Sequence, residues 1–128
     1  MDQSQKNIIK AIIKNTAIVN INATQNNTIF LAKNVMGNHI ALMSIGLALR
    51  KKRGKRSVVN GAEISSEIIS TKLIELGYSK LLIKLKGFGR GRESALFGFS
   101  SSGLIIEQVI DVTPVPHNGC RPKKSRRI

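Results

Sequence analysis

Residues 80–86 read Lys-Leu-Leu-Ile-Lys-Leu-Lys, so an extended chain sends Leu81, Ile83 and Leu85 to one side and Lys80, Lys84 and Lys86 to the other. Such a segment demands a sheet with one buried face and one cationic face. A similar alternation begins at Ala17, where Ala17, Val19 and Ile21 oppose Ile18, Asn20 and Asn22, and it stops at the polar run Thr24-Gln25-Asn26-Asn27. A second apolar run, Thr28 to Ala32, leads through Asn34-Val35-Met36-Gly37-Asn38 to a third, His39 to Ile45; the Asn and Gly residues between them suit left-handed turn positions. Three antiparallel strands joined as a meander are expected.

Leu47 to Gly61 breaks the strand pattern and reads as a loop. Asn60 and Glu63 form the pattern of an N-terminal capping box, and Ile64, Ile68, Ile69, Leu73 and Leu76 follow at helical spacing, which predicts a helix from Gly61 to Leu76 stopped by Gly77. A shorter helix, Arg92 to Ser102, ends at Gly103, and Leu104 to Ile110 is a last apolar strand. The order β-β-β-α-β-α-β, joined by right-handed crossovers, gives an α/β sandwich with a mixed five-stranded sheet. With 128 residues there is room for one such domain, 15–110. Residues 111–128 hold all three prolines, Pro114, Pro116 and Pro122, and read as an extended basic tail.

Residues 1–14 read as a basic N-terminal arm, in which Lys6, Lys10 and Lys14 oppose Ile8, Ile9, Ile12 and Ile13 in an amphipathic helical pattern. A removable organellar presequence is the other reading; the absence of Arg and the acidic Asp2 disfavour it. No apolar run approaches the roughly 20 residues that span a bilayer, so no membrane partner is expected. One cysteine, Cys120, excludes an intrachain disulfide, and with His39 and His117 it cannot complete a closed zinc site. No metal and no cofactor are expected.

The charge is the strongest functional signal. Lys and Arg total 21 against 7 Asp and Glu, a formal net charge of +14, and eleven of the cations fall in two seven-residue windows free of acid. The first holds Arg50, Lys51, Lys52, Arg53, Lys55 and Arg56; the second holds Arg121, Lys123, Lys124, Arg126 and Arg127. Runs of like charge repel themselves and become ordered when a polyanion supplies the counter-charge. Between the last two predicted elements, Gly87, Gly89 and Gly91 alternate with Phe88 and Arg90, and Arg92 follows. This is either a cradle for a phosphate backbone or a tight strand-to-helix turn. It is not a nucleotide-binding fingerprint, since the third glycine is misplaced and no Gly-Lys-Ser/Thr follows.

Catalytic readings are weaker. His117 and Cys120 could form a nucleophilic pair, but a Pro-rich tail is a poor rigid support for one. A metal-dependent nuclease would need carboxylates clustered on the sheet, and the first strand, residues 16–22, contains none. Five aromatic residues, Phe30, Tyr78, Phe88, Phe97 and Phe99, without Trp, offer no evident stacking platform for bases. Recognition by shape and backbone points to folded RNA. Asn118-Gly119 is a turn and a sequence prone to deamidation or isoaspartate formation.

The segment Asp111-Val-Thr-Pro-Val-Pro-His-Asn-Gly-Cys-Arg-Pro-Lys-Lys-Ser-Arg-Arg-Ile128 closely resembles the signature tail of the universal small-subunit ribosomal protein eleven family, bacterial type. Lys86-Gly-Phe-Gly-Arg-Gly-Arg-Glu-Ser94 resembles that family's glycine-rich loop, with Phe88 and Arg90 where prolines are usual; Asn26-Asn-Thr-Ile29 resembles its first hairpin, and Gly37-Asn38 its second turn. The resemblance implies a ribonuclease H-like sandwich without catalytic residues, placed on the platform of the small subunit near the messenger exit and E-site. It implies small-subunit rRNA as partner, messenger RNA nearby, and small-subunit proteins seven, eighteen and twenty-one as neighbours in lineages that have them. It carries rRNA contact to Asn26, Asn27, Gly87, Gly89, Gly91, Arg92, His117, Asn118, Arg121 and the terminal basic residues; charge and position add Lys84, Lys86, Arg90 and the cluster Arg50–Arg56. Eighteen isoleucines beside many Asn and Lys suit an AT-rich, organelle-encoded copy, mitochondrial before plastid or bacterial. The rivals are a free-standing nucleic-acid binder and a nuclease of the same fold.

If these cations neutralise roughly 6 to 10 phosphates, affinity for RNA falls about 10³- to 10⁵-fold between low and moderate salt, which a titration at several KCl concentrations measures.

Overall fold

A computed structural model of the chain describes residues 2–50 and 58–128. The elements are α1 (Gln3–Asn15), β1 (Thr16–Ala23), β2 (Thr28–Asn34), β3 (His39–Ser44), α2 (Ile45–Ala48), α3 (Val58–Glu75), β4 (Lys80–Lys86), α4 (Gly91–Ser101) and β5 (Ile105–Asp111). The strands form one mixed five-stranded sheet in the order β3-β2-β1-β4-β5. The meander is antiparallel, and β4 and β5 run parallel to β1. The α/β class and the mixed sheet are those expected from the sequence.

The topology explains why one face of the sheet is covered and the other is bare. From β3 to β4, and again from β4 to β5, the chain steps in the same direction across the sheet, and a right-handed crossover then puts both connecting helices on the same side. On that side Ala17, Val19, Ile21, Phe30, Ala32, Leu81, Ile83 and Leu85 pack with Ala62, Ile69 and Leu73 of α3 and Ala95 and Phe99 of α4 in a single core. Phe30 and Phe99 meet edge to face, with ring centroids 6.1 Å apart. On the other side Asn22 and Leu42 are exposed, and Asn20, Leu31, Lys33 and Lys84 are half-buried.

Helix α3 departs from expectation at its start and on its buried face. It begins at Val58, so Asn60 and Glu63 lie inside it. Of the expected stripe, Ile69 and Leu73 are buried, whereas Ile64, Ile68 and, just past the helix, Leu76 point outward, at 38%, 40% and 57% exposure; Ser65, Ser66 and Ser70 are fully buried. The reason is the close approach of α3 and α4: a Cβ on Gly98 would run into the hydroxyl of Ser66. Small residues permit that approach. The serine hydroxyls cost little there because each donates to a carbonyl of its own helix, Ser65 to Gly61 at 2.7 Å, Ser66 to Glu63 at 2.7 Å and Ser70 to Ser66 at 2.8 Å.

The arm forms the helix α1, as its amphipathic pattern suggests, and passes directly into β1 at Thr16. Two smaller differences follow from local chemistry. Ile45–Ala48, expected as the end of a strand and the start of a loop, is a single helical turn because the Ser44 hydroxyl caps it, accepting from the Leu47 amide at 3.3 Å. The last strand runs one residue further than expected, to Asp111, and is an outer strand with little burial. Among the described residues no helix is long and apolar enough to cross a membrane.

Truncating Phe99 to Ala is expected to cost about 3–5 kcal/mol in urea denaturation. Phe97→Ala, two residues away at 63% exposure, is expected to stay within about 0.5 kcal/mol of the parent.

Candidate nucleic-acid interface

Parallel pairing of β1 with β4 sets Asn22 opposite Lys86, so the chain leaving β4 runs beside the turn that ends β1. That turn, Thr24 to Asn27, is closed by its own side chains. The Thr24 amide donates to the Asn27 carbonyl at 2.8 Å, the Thr24 hydroxyl donates to the same oxygen at 2.9 Å, and the Asn27 side-chain oxygen accepts from the Thr28 amide at 2.9 Å. Asn26 stays exposed at the tip.

The glycine loop packs directly on this turn. Gly87 has φ +90°, and a Cβ there would strike the Ala23 carbonyl; one on Gly89 would strike the Thr24 carbonyl, and one on Gly91 the Thr28 hydroxyl. The Gly89 amide donates to the Ala23 carbonyl at 3.1 Å, and Gly89 and Gly91 are buried. Of the two expectations for this loop, the tight turn accounts for the glycines: they make room for the chain itself. What the loop presents outward is Lys86, Phe88 and Arg90, all exposed.

Arg92 turns inward. One guanidinium nitrogen donates to the Gly87 carbonyl at 2.7 Å, another meets Asp111 Oδ2 at 3.1 Å, and the group lies 5.7 Å from the centroid of Phe88. Asp111 Oδ1 accepts from the Thr113 hydroxyl at 2.6 Å and from the Thr113 amide at 3.0 Å, and that hydroxyl in turn accepts from the Gly87 amide at 3.1 Å. The Thr113 hydroxyl, then its amide, then Arg92 hold the Asp111 carboxyl down from 3.8 to about 2.

Beyond Thr113 the chain has neither helix nor strand, and His117, Asn118, Arg121, Lys123, Lys124, Arg126 and Arg127 are exposed. Asn118 takes the left-handed conformation, φ +53°, as its turn position before Gly119 requires. His117 and Cys120 are both exposed. Arg50 is exposed, while Lys51, Lys52, Arg53, Lys55 and Arg56 lie outside the described residues. Lys84 lies on the bare face of the sheet, where Lys33, Lys84 and Lys86 line a groove of about 530 Å³ together with Asn20 and Asn22. Lys33 escaped the sequence reading, although the alternation of Leu31 and Lys33 against Phe30 and Ala32 already put it on this face. Asp111 and Thr113 escaped it too, because nothing local marks them as partners of a loop some twenty residues earlier. Among the described residues no three His, Cys, Asp or Glu side chains gather where an ion could be held.

Hairpin turn, glycine loop and tail root thus form one cationic end of the sheet, built from three of the four segments that resemble family motifs. The family model for ribosomal protein S11 matches residues 17–127. The chain belongs to that family. A relative described as small ribosomal subunit protein uS11m, from Prototheca wickerhamii, is 39% identical over 119 residues, covering 93% of this chain and 92% of the relative. S11 proteins are structural, non-enzymatic components of the small ribosomal subunit, with rRNA and other ribosomal proteins as neighbours.

Gly89→Ala is expected to destabilise the protein by roughly 1–3 kcal/mol, read from its urea midpoint, because the added methyl meets backbone. Acid acts on Asp111 with a definite sign. Its folded pKa, about 2, lies below the unfolded 3.8, so its contribution is complete above about pH 4 and is lost as pH falls toward 2. The Thr113 amide resonance should report that midpoint near pH 2.

Proposed function

We propose that the chain is a structural rRNA-binding protein of a mitochondrial small ribosomal subunit, held on the platform near the messenger exit and E-site. The observation that carries this reading is the gathering of the Asn26–Asn27 turn, the Lys86–Arg90 loop and the root of the basic tail at one end of an otherwise well-packed body. The body serves as a ribonuclease H-like scaffold, which the strand order and the lone antiparallel strand β2 support. It docks by shape, and its cationic segments close on phosphate and ribose.

The division of labour proposed for the residues follows their exposure. Arg90, Lys86, Asn26, His117, Asn118, Arg121 and the terminal basic residues reach rRNA, with Lys84 and the Arg50–Arg56 cluster adding charge. Arg92 and the three glycines support that surface from behind. Neighbouring proteins equivalent to small-subunit proteins seven, eighteen and twenty-one, where present, flank it. The name of the relative from Prototheca wickerhamii and the isoleucine-rich composition favour the mitochondrial location.

Sedimentation of a gently lysed mitochondrial fraction tests this reading. The protein should travel with small subunits, and a pool found mainly elsewhere would favour a free-standing nucleic-acid binder. Deleting residues 121–128 is expected to reduce incorporation into subunits severalfold while leaving the urea transition cooperative and unshifted, since none of these residues is buried.

A further inference from the structure

We infer that Asp111 and Thr113, with Arg92, are positioning residues that lock the root of the basic tail to the glycine loop, so that tail and Arg90 meet RNA as one preset surface. This rests on the rRNA reading above and adds to it a distinction between residues that touch RNA and residues that aim the ones that do.

The geometry is specific to these side chains. Thr113 Oγ1 stands between two segments, donating to Asp111 Oδ1 and accepting from the Gly87 amide. Only a hydroxyl can do both from that position. Arg92 closes the other side, from the Gly87 carbonyl to Asp111 Oδ2. Both backbone polar groups of Gly87 are thereby held by side chains from elsewhere in the chain. The Val112 amide donates to the Leu85 carbonyl at 2.7 Å, extending the ladder one residue past β5 and fixing where the tail departs. Pro114 and Pro116 then restrict the backbone that carries His117 and Asn118.

Electrostatics separates the two arginines of the loop. The Arg92 guanidinium is matched by Asp111, and its side chain is 24% exposed, so its charge is largely spent within the protein. Arg90 is exposed and forms no ion pair among the described residues. Holding the tail and loop in their bound relation beforehand lowers the ordering cost of association. Losing the lock should therefore weaken binding without removing a phosphate contact, whereas losing Arg90 should remove one.

The test is a salt series of binding to a transcript of the platform region of small-subunit rRNA, with hydrogen exchange of the Gly87 amide measured on the free proteins. Thr113→Val should weaken binding roughly tenfold with an unchanged salt slope and speed exchange at Gly87; Thr113→Ser should restore both. Arg90→Ala should lower the slope by about one, and Arg92→Ala should weaken binding without that change. Should Thr113→Val bind as tightly as the parent, or Thr113→Ser fail to rescue, the lock does not position the tail. A slope lowered by Arg92→Ala as much as by Arg90→Ala would make Arg92 a direct phosphate ligand and overturn its assignment. Asp111→Asn, which keeps the shape and removes the charge, supplies a second variant and is expected to behave like Thr113→Val. A parent protein that does not bind the transcript would instead overturn the rRNA reading, and the inference with it.

Discussion

The parallel pairing of β1 with β4 is the constraint on which the rest of the molecule depends. Its register, from Thr16 opposite Lys80 to Asn22 opposite Lys86, joins the meander to the crossover half of the chain along the middle of the sheet. Parallel neighbours need a long connection, and here the connection includes β2, β3 and α3. One consequence is chemical. Because the two strands end level with each other, the turn after β1 and the loop after β4 must share the same space, and the glycines at 87, 89 and 91 are what make the fit possible.

The same topology creates two unlike faces. Two crossovers of one hand, stepping in one direction, place both helices on one side, and the apolar halves of β1, β2 and β4 are buried beneath them. The other halves of those strands carry Asn20, Asn22, Lys33, Lys84 and Lys86. A basic protein can concentrate charge this way without destabilising its core, since no lysine has to be desolvated for the body to close. The Pro- and Arg-rich tail is then attached at the end of the outer strand, beside the glycine loop.

Much of this was legible locally. The alternation in residues 17–21 and 80–86 located strands and their buried sides, and Thr24–Asn27 and Gly87–Gly91 marked turns through residues with special backbone freedom. The helix α3 was legible in existence and in part of its orientation. Ile69 and Leu73 of its predicted stripe are buried, whereas Ile64 and Ile68 are not, because the close contact with α4 selected the serines and Ala62 in their place. Hydrophobicity ranks side chains by transfer energy, and here steric closeness decided. The same limit applied to Arg92, which by sequence is one more cation in a basic loop. Only its distance from Asp111, nineteen residues later, shows that it is engaged within the chain.

By itself the sequence determined the strand and turn positions, the α/β class, the excess of cations and their clustering, and the family, because these rest on periodicity, composition and short motifs that need no partner in space. Tertiary structure alone decided that α3 buries its serines in place of Ile64 and Ile68, that the glycines accommodate the chain's own backbone, and that Asp111, Thr113 and Arg92 converge on Gly87. Those outcomes depend on contacts between residues far apart in the chain, and such contacts exist only once the β1–β4 register has brought them together.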